Sequence, residues 1–396
     1  MYPKMKNLFI FWDEPLNLTA GGIHRCIQHL IQYLPPRGYN VFYLYSLDHY
    51  KTFHYPISNV TETIFTLSEL KHFLIVQKCN IILGQEAVFS SSLTQAVKEL
   101  DLSGVKFINQ YHNTLLYFDK KLTWDYLKFE WKTNHNPSSR LGIIIRGILY
   151  PLWKYNVRRV QNNIYRYNYK NSDITLLLSE FEKPIMGKIT GDSSLNKCVA
   201  IPNPLSWEKI ATPDILKGKQ KEVLIVSRIY NTEKRIDLAL KIWKLLELKG
   251  KTEGWVLRII GEGIHKTYLI EMAKSMQLQN VIWEERKDPR PYYERASIFL
   301  LTSIVEGWAL TLTESAQMGV VPIAFDSYPA IRSIITDGHD GYLIPTKNLK
   351  MMANKLYELM HDKAKRERMA LNGLQSCKRF TINTVMDQWK DMLNQL

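Results

Sequence analysis

A chain of 396 residues, 45% hydrophobic and 23% charged, carries enough apolar material for two or three packed domains, which excludes a disordered or fibrous protein. Fifty-two Lys and Arg against 38 Asp and Glu leave a formal net charge of +14, so the expected partner is acidic: a phosphorylated ligand, an anionic headgroup or nucleic acid. Cys26, Cys79, Cys198 and Cys377 form neither a CxxC pair nor a zinc spacing, so free thiols in a reducing compartment are expected. The opening MYPKMKNLFIFWDEP turns acidic too soon for a signal peptide, and no apolar run reaches the ~18–20 residues that span a bilayer. The expected location is cytoplasmic, or peripheral on the inner face of the cell membrane.

Asn7 to Trp12 reads as a first strand, Ile23 to Leu34 as a helix closed by Pro35-Pro36-Arg37-Gly38, and Val41 to Tyr45 as a second strand. Gly21-Gly22 opens that helix. This is not GxGxxG, so a dinucleotide oxidoreductase is poorly supported. The pair is either a plain tight turn or a place where phosphate or sugar approaches the backbone. Cys79 to Leu83 and Val105 to Asn109 read as further strands. The second runs into QYHNT, which puts His112 just beyond a strand's carboxyl end. His135 reads as a loop residue.

Residues 131 to 172 contain no Asp or Glu, while Lys132, Arg140, Arg146, Lys154, Arg158, Arg159, Arg166 and Lys170 alternate with apolar and aromatic residues. Segment 132–170 is either a helix with a solvated basic face or a surface for an anionic membrane. No nucleic-acid motif accompanies it, and nucleic acid is not an expected partner. After strands at Ile174 to Leu178 and Val199 to Ile201, the rigid IPNP reads as an interdomain hinge.

Beyond the hinge, strand Val223 to Val226 leads to Arg228 at its carboxyl end and to Lys234, expected to start the next helix. Two cations at the ligand edge of a sheet suit a diphosphate, whose charge grows as a bond to phosphate breaks. Trp255 to Ile260 is the next strand, followed by Gly261-Glu262-Gly263, and Val281 to Trp283 the one after. Ile298 to Leu301 and Val320 to Phe325 then bracket EGWALTLTESAQMG, with a helix over Ala309 to Met318. Glu306 lies in the loop and Glu314 on the helix. Ligands of open α/β sheets bind at that end of the strands, and a helix amino terminus suits phosphate. Two carboxylates beside an anion site need hydroxyls to hold, and a sugar nucleotide offers both groups. The terminal helix, Ile382 to Leu396, sets Val385, Trp389, Met392 and Leu393 at core spacing.

EGWALTLTESAQMGVVP resembles the Glu–seven residues–Glu motif of retaining glycosyltransferase family 4, of the GT-B type found in bacterial surface-polysaccharide synthesis. Glu306, Gly307, Glu314, Gly319 and Pro322 keep their places. SR-x5-KR-x-D resembles the family's GR-x5-KG-x-D, with Ser227 and Arg235 as departures. The resemblance is strong over 220–346 and thin before 200. It implies an α/β GT-B fold of two Rossmann-like domains facing across a cleft, 1–203 on the acceptor side and 204–379 on the donor side, with helix 380–396 packing back on the first.

The resemblance further implies a retaining hexosyl or N-acetylhexosaminyl transfer from a nucleotide-diphosphate sugar, a UDP-sugar, to a glycan or lipid-linked glycan. Glu306 and His112 would be catalytic: Glu306 holds the transferred sugar and steadies positive character at its anomeric carbon, and His112 contacts that sugar. Donor-binding residues would be Gly21, Gly22, Arg228, Lys234, Trp308, Ala309, Leu310 and Glu314, with Glu314 on the ribose. No covalent nucleophile emerges, so front-face displacement is favoured and double displacement stays open. There is no Asp-x-Asp, so neither metal nor cofactor is expected. Two rival readings remain: a non-catalytic protein that binds polyanion or glycan, and a GT-B sugar-nucleotide epimerase.

Overall fold

The computed structural model describes residues 5–17, 21–57, 60–85 and 90–396. The chain forms two compact units. The first comprises Met1–Leu115, Asn156–Pro204 and Phe380–Leu396; the second comprises Leu116–Tyr155 and Leu205–Arg379. The division differs from the expected one at a single segment, since Leu116–Tyr155 groups with the second unit. The physical cause is specific polar anchoring: Lys121 pairs with Glu233, and Asp125 with Lys347.

In the first unit the strands are β1 (Lys6–Trp12), β2 (Tyr39–Tyr45), β3 (Phe53–Ile57), β4 (Val60–Ile64), β5 (Ile81–Gly84), β6 (Lys106–Gln110), β7 (Ile174–Leu177) and β8 (Cys198–Ala200). They form one sheet in the order β4-β3-β2-β1-β5-β6-β7-β8. All pairings are parallel except those of β3 with β2 and with β4. Strands such as Ile81–Gly84 and Ile174–Leu177 are buried along their whole length, as parallel strands covered on both faces must be. The terminal helix Ile382–Asn394 sends Ile382, Val385, Met386, Trp389 and Leu393 into a core shared with Leu8, Ile27 and Tyr39. Arg37 donates to Asp387 at 2.8 Å, and the Tyr39 hydroxyl to Asn394 at 2.8 Å.

The second unit's strands are β9 (Glu222–Val226), β10 (Val256–Ile260), β11 (Val281–Glu284), β12 (Ile298–Leu301), β13 (Val321–Asp326) and β14 (Tyr342–Pro345). Their order is β11-β10-β9-β12-β13-β14, all parallel. The winding direction reverses between β9 and β12, and between β1 and β5 in the first sheet. Such switch points leave a crevice beyond the carboxyl ends of the strands where ligands bind. The Arg228–Lys234 loop follows β9 and the Glu306 loop follows β12. The Gly21-Gly22 turn follows β1.

Two glycines hold the β9 and β10 loops together. Gly261 has φ +149 and a Cβ there would lie 1.9 Å from the Ser227 carbonyl oxygen. Gly263 has φ +159 and would place its Cβ 2.4 Å from the carbonyl oxygen of Ile229. GEG therefore serves first to let two backbones touch, with Ile229 N–H donating to Glu262 O at 2.8 Å.

Candidate active site

Two of the sequence-predicted residues meet directly. Lys234 Nζ donates to Glu306 Oε1 at 2.5 Å, and each side chain is 15% exposed. The loops that carry them are tied by backbone as well: Ile304 N–H donates to Glu233 O at 2.9 Å, and Thr302 Oγ1 to Lys234 O at 3.0 Å. Lys234 ends a short helix, Asn231–Lys234, where the sequence led us to expect a helix start. Arg235 causes the break. It sits at φ +50, in the left-handed region that glycine takes readily, and the next helix runs Ile236–Glu247. This explains the departure at that position: Arg235 tolerates a glycine's conformation while its guanidinium pairs with both Asp237 oxygens, at 2.9 and 3.0 Å.

Arg228 is exposed at the end of β9. Glu314 is buried on the helix Leu310–Gln317, where its Oε1 accepts from Ser206 Oγ at 2.6 Å. That helix begins at Leu310, with Ala309 as its cap. It has no side-chain cap bond and no acid in its first turn, so its amino-terminal N–H groups suit an anion. Trp308 and Ala309 are buried at its entrance. The Tyr328 hydroxyl is buried too. Desolvation first, and then the Glu306 charge, hold its pKa well above the usual phenol range, so it stays protonated.

Sequence reasoning missed a cluster next to Lys234. Tyr117 Oη donates to Glu233 Oε1 at 2.6 Å, and Lys121 Nζ donates to that same oxygen and to Tyr117 Oη, both at 2.8 Å. Lys121 also faces the Tyr117 and Tyr230 rings, 5.0 and 5.7 Å from their centroids. Despite burial, bonds from Lys121 and Tyr117 hold the Glu233 carboxyl below its ordinary range, with the Lys234 charge contributing. Charges thus alternate through the second unit: Lys121, Glu233, Lys234, Glu306. The only sequence signal was Glu233's place beside Lys234; Tyr117 and Lys121 lie 112 or more residues away and carried none.

In the first unit His112 is buried and its Nε2 bonds to Gln85 Oε1. Gln85 in turn donates its amide to Gln110 Oε1 at 3.0 Å, so the Gln85 oxygen accepts and His112 Nε2 carries the proton. Desolvation lowers the His112 pKa to about 3, which makes it a neutral imidazole with Nδ1 as acceptor. In the same unit a Glu182 carboxyl oxygen accepts from Leu115 N–H at 3.3 Å. Gly21 caps the helix Gly22–Tyr33 at φ −65, and a Cβ there would meet nothing within 4 Å among the described residues. Packing therefore does not require glycine at that position. Among the described residues no three His, Cys, Asp or Glu side chains cluster as a metal site would need.

Residues 208–376 match the family model for glycosyl transferases group 1. A Haemophilus influenzae protein named only as a glycosyltransferase is 24% identical over 386 residues, spanning 95% of this chain and 97% of that one. An alpha-1,4-N-acetyl-D-galactosaminyltransferase of Campylobacter jejuni, named for a glycan on PP-undecaprenol, is 26% identical over 49% of this chain and 54% of its own. Among solved structures, the pneumococcal O-GlcNAc transferase GtfA in complex with UDP and GlcNAc aligns at a TM-score of 0.68. That alignment covers 99% of both chains at 12% identity. Two α/β units with mainly parallel sheets and these matches give the chain the GT-B fold, and its residues 208–376 are similar to glycosyl transferases group 1.

Proposed function

We propose that the protein transfers a hexose or N-acetylhexosamine, with retention, from a UDP-sugar to a glycan acceptor carried on a lipid diphosphate. The observation that carries this reading is the 2.5 Å contact of Lys234 with Glu306 at the β9–β12 switch point. It joins a phosphate-binding cation to a hydroxyl-binding carboxylate, the two functions a sugar nucleotide needs side by side. Arg228, Lys234 and the N–H groups following Ala309 take the diphosphate, and Trp308 and Leu310 frame it. Glu314 takes the ribose hydroxyls, for which Ser206 holds its place. Glu306 takes the transferred sugar and stabilises the positive anomeric carbon.

The leaving diphosphate accepts the acceptor's proton in a front-face displacement, so no metal is invoked. In the first unit we keep His112 as a sugar contact that accepts a hydroxyl proton at Nδ1, and Gly21-Gly22 as a close-approach turn. A relative named for an alpha linkage to a PP-undecaprenol glycan supports the lipid-linked acceptor and, given an α-linked donor, retention. The basic segment 132–170 is read as facing the anionic inner leaflet, which makes the protein peripheral. The test is transfer from an α-linked UDP-sugar to an undecaprenyl-diphosphate glycan, with NMR of the product's anomeric proton. An α product that disappears in Glu306→Ala is expected. A β product would end the retaining assignment, and donor turnover without a glycoside would favour an epimerase.

A further inference from the structure

The helix Pro137–Ile148 exposes Leu141 (58%), Ile144 (45%), Ile145 (49%) and Ile148 (75%). Spacings of three and four residues place these side chains on one face. Beyond the helix Leu149 (47%), Leu152 (62%) and Tyr155 (62%) are exposed as well, all within the second unit. On the other side Ile143 is buried at 5%, so the helix docks by that face and leaves its larger apolar one outward. Scattered exposed apolar residues are ordinary, but seven large ones in fifteen positions mark an interaction surface.

We propose that this stripe lies in the interfacial layer of an anionic bilayer, parallel to the membrane plane. The proposal deepens the reading of segment 132–170 as membrane-facing, on which it rests, by naming the atoms that enter the lipid. Charge chooses the occupant. No carboxylate lies between 131 and 172, while Arg140 and Arg146 flank the stripe and Lys132 is exposed. Such a rim repels a second copy of itself and attracts acidic headgroups. The aromatic surroundings suit an interface. Trp124, 50% exposed, stacks on Tyr150 at 4.5 Å, and Trp131, 41% exposed, lies 4.8 Å beneath the Arg140 guanidinium. The helix has 12 residues, and no described helix is long and apolar enough to cross a membrane, so it lies on the surface.

The experiment is co-sedimentation of the full chain with vesicles of phosphatidylcholine, alone or mixed with phosphatidylglycerol, at low and high salt. Three proteins are compared: wild type, Ile144→Ser/Ile148→Ser and Arg158→Gln/Arg159→Gln. Circular dichroism verifies folding, and sedimentation velocity gives the oligomeric state. Wild type should bind mixed vesicles and keep a salt-resistant fraction, with a blue shift of tryptophan emission. The Ile double variant should partition about tenfold less and lose the salt-resistant fraction. If that variant binds like wild type while the Arg variant does not, the segment faces lipid by charge alone and insertion is overturned. If no vesicle sediments any of the three, both readings fall. Self-association of wild type that the Ile variant abolishes would assign the stripe to a second copy and overturn the proposal.

Discussion

Lys234 and Glu306, 72 residues apart in sequence, are held 2.5 Å apart at the switch point of the second sheet. Each satisfies the other's charge in a largely buried setting. In the proposed site a diphosphate takes Lys234 partly from Glu306, which frees the carboxylate for sugar hydroxyls. Lys234→Ala should weaken UDP binding by about 1.5–3 kcal/mol, the range for a hydrogen bond to a charged group. Glu306→Ala, which removes the competitor for Lys234, should bind UDP at least as tightly as wild type and abolish transfer. Isothermal titration with UDP reads the first effect and a product assay the second. Unchanged affinity in Lys234→Ala would remove that residue from the site.

The cluster of Tyr117, Lys121 and Glu233 makes a separate claim. If it aims Lys234, removing Lys121 turns Glu233 into a competing anion for it. Lys121→Met should raise the donor KM severalfold more than it lowers kcat, and Lys121→Arg should restore much of the loss. A uniform fall in kcat with constant KM would contradict positioning.

Arg235 sets a conformational cost against an ion pair. Arg235→Gly relieves a left-handed residue, a gain of about 1 kcal/mol. It also strips the buried Asp237 carboxylate of its bidentate partner, where breaking a buried pair costs about 3–5 kcal/mol. The second effect wins, and urea unfolding should show a net loss of roughly 2–4 kcal/mol. Greater stability in the glycine variant would show that the pair contributes little.

Glu182 gives the pH prediction. Its carboxyl is buried, and desolvation raises its pKa from 4.5 to about 7. Between those values the unfolded chain has released the proton and the folded one has kept it. Stability contributed by this group therefore falls as pH rises from 4.5 to about 7 and is level above. Glu182→Gln should remove that fall, on the order of 3 kcal/mol. His112 acts oppositely, since its depressed pKa makes stability rise with pH between about 3 and 6.5. Both proteins contain it, so it cancels in the difference. Parallel curves for wild type and variant would show that Glu182 does not titrate in this window.

The sheets were legible because parallel strands are short apolar runs with turn residues between them, and Ile298–Leu301 matches its expected bounds. The antiparallel pair Phe53–Ile57 and Val60–Ile64 escaped notice, since HYPI and VTETI carry proline and polar residues that blur the period. The partners of Lys234 divided the same way. Glu306 announced itself by motif spacing. Lys121 and Tyr117 did not, because their role depends on a segment that folds with the second unit, and no local pattern encodes that. Arg235 looked like a flaw in a motif until its φ and its bond to Asp237 gave the reason.

The most direct test of the central claim is a thermal-shift panel of UDP, GDP, ADP and their sugars, without and with a divalent metal, on wild type and Lys234→Ala. At about 100 times its dissociation constant, a ligand of the folded state adds ~2.7 kcal/mol. A rise in Tm for the UDP series in wild type, independent of metal and much reduced in Lys234→Ala, is the result expected of a nucleotide-sugar site built around Lys234 and Glu306. No shift with any nucleotide, or an equal shift in both proteins, would contradict it.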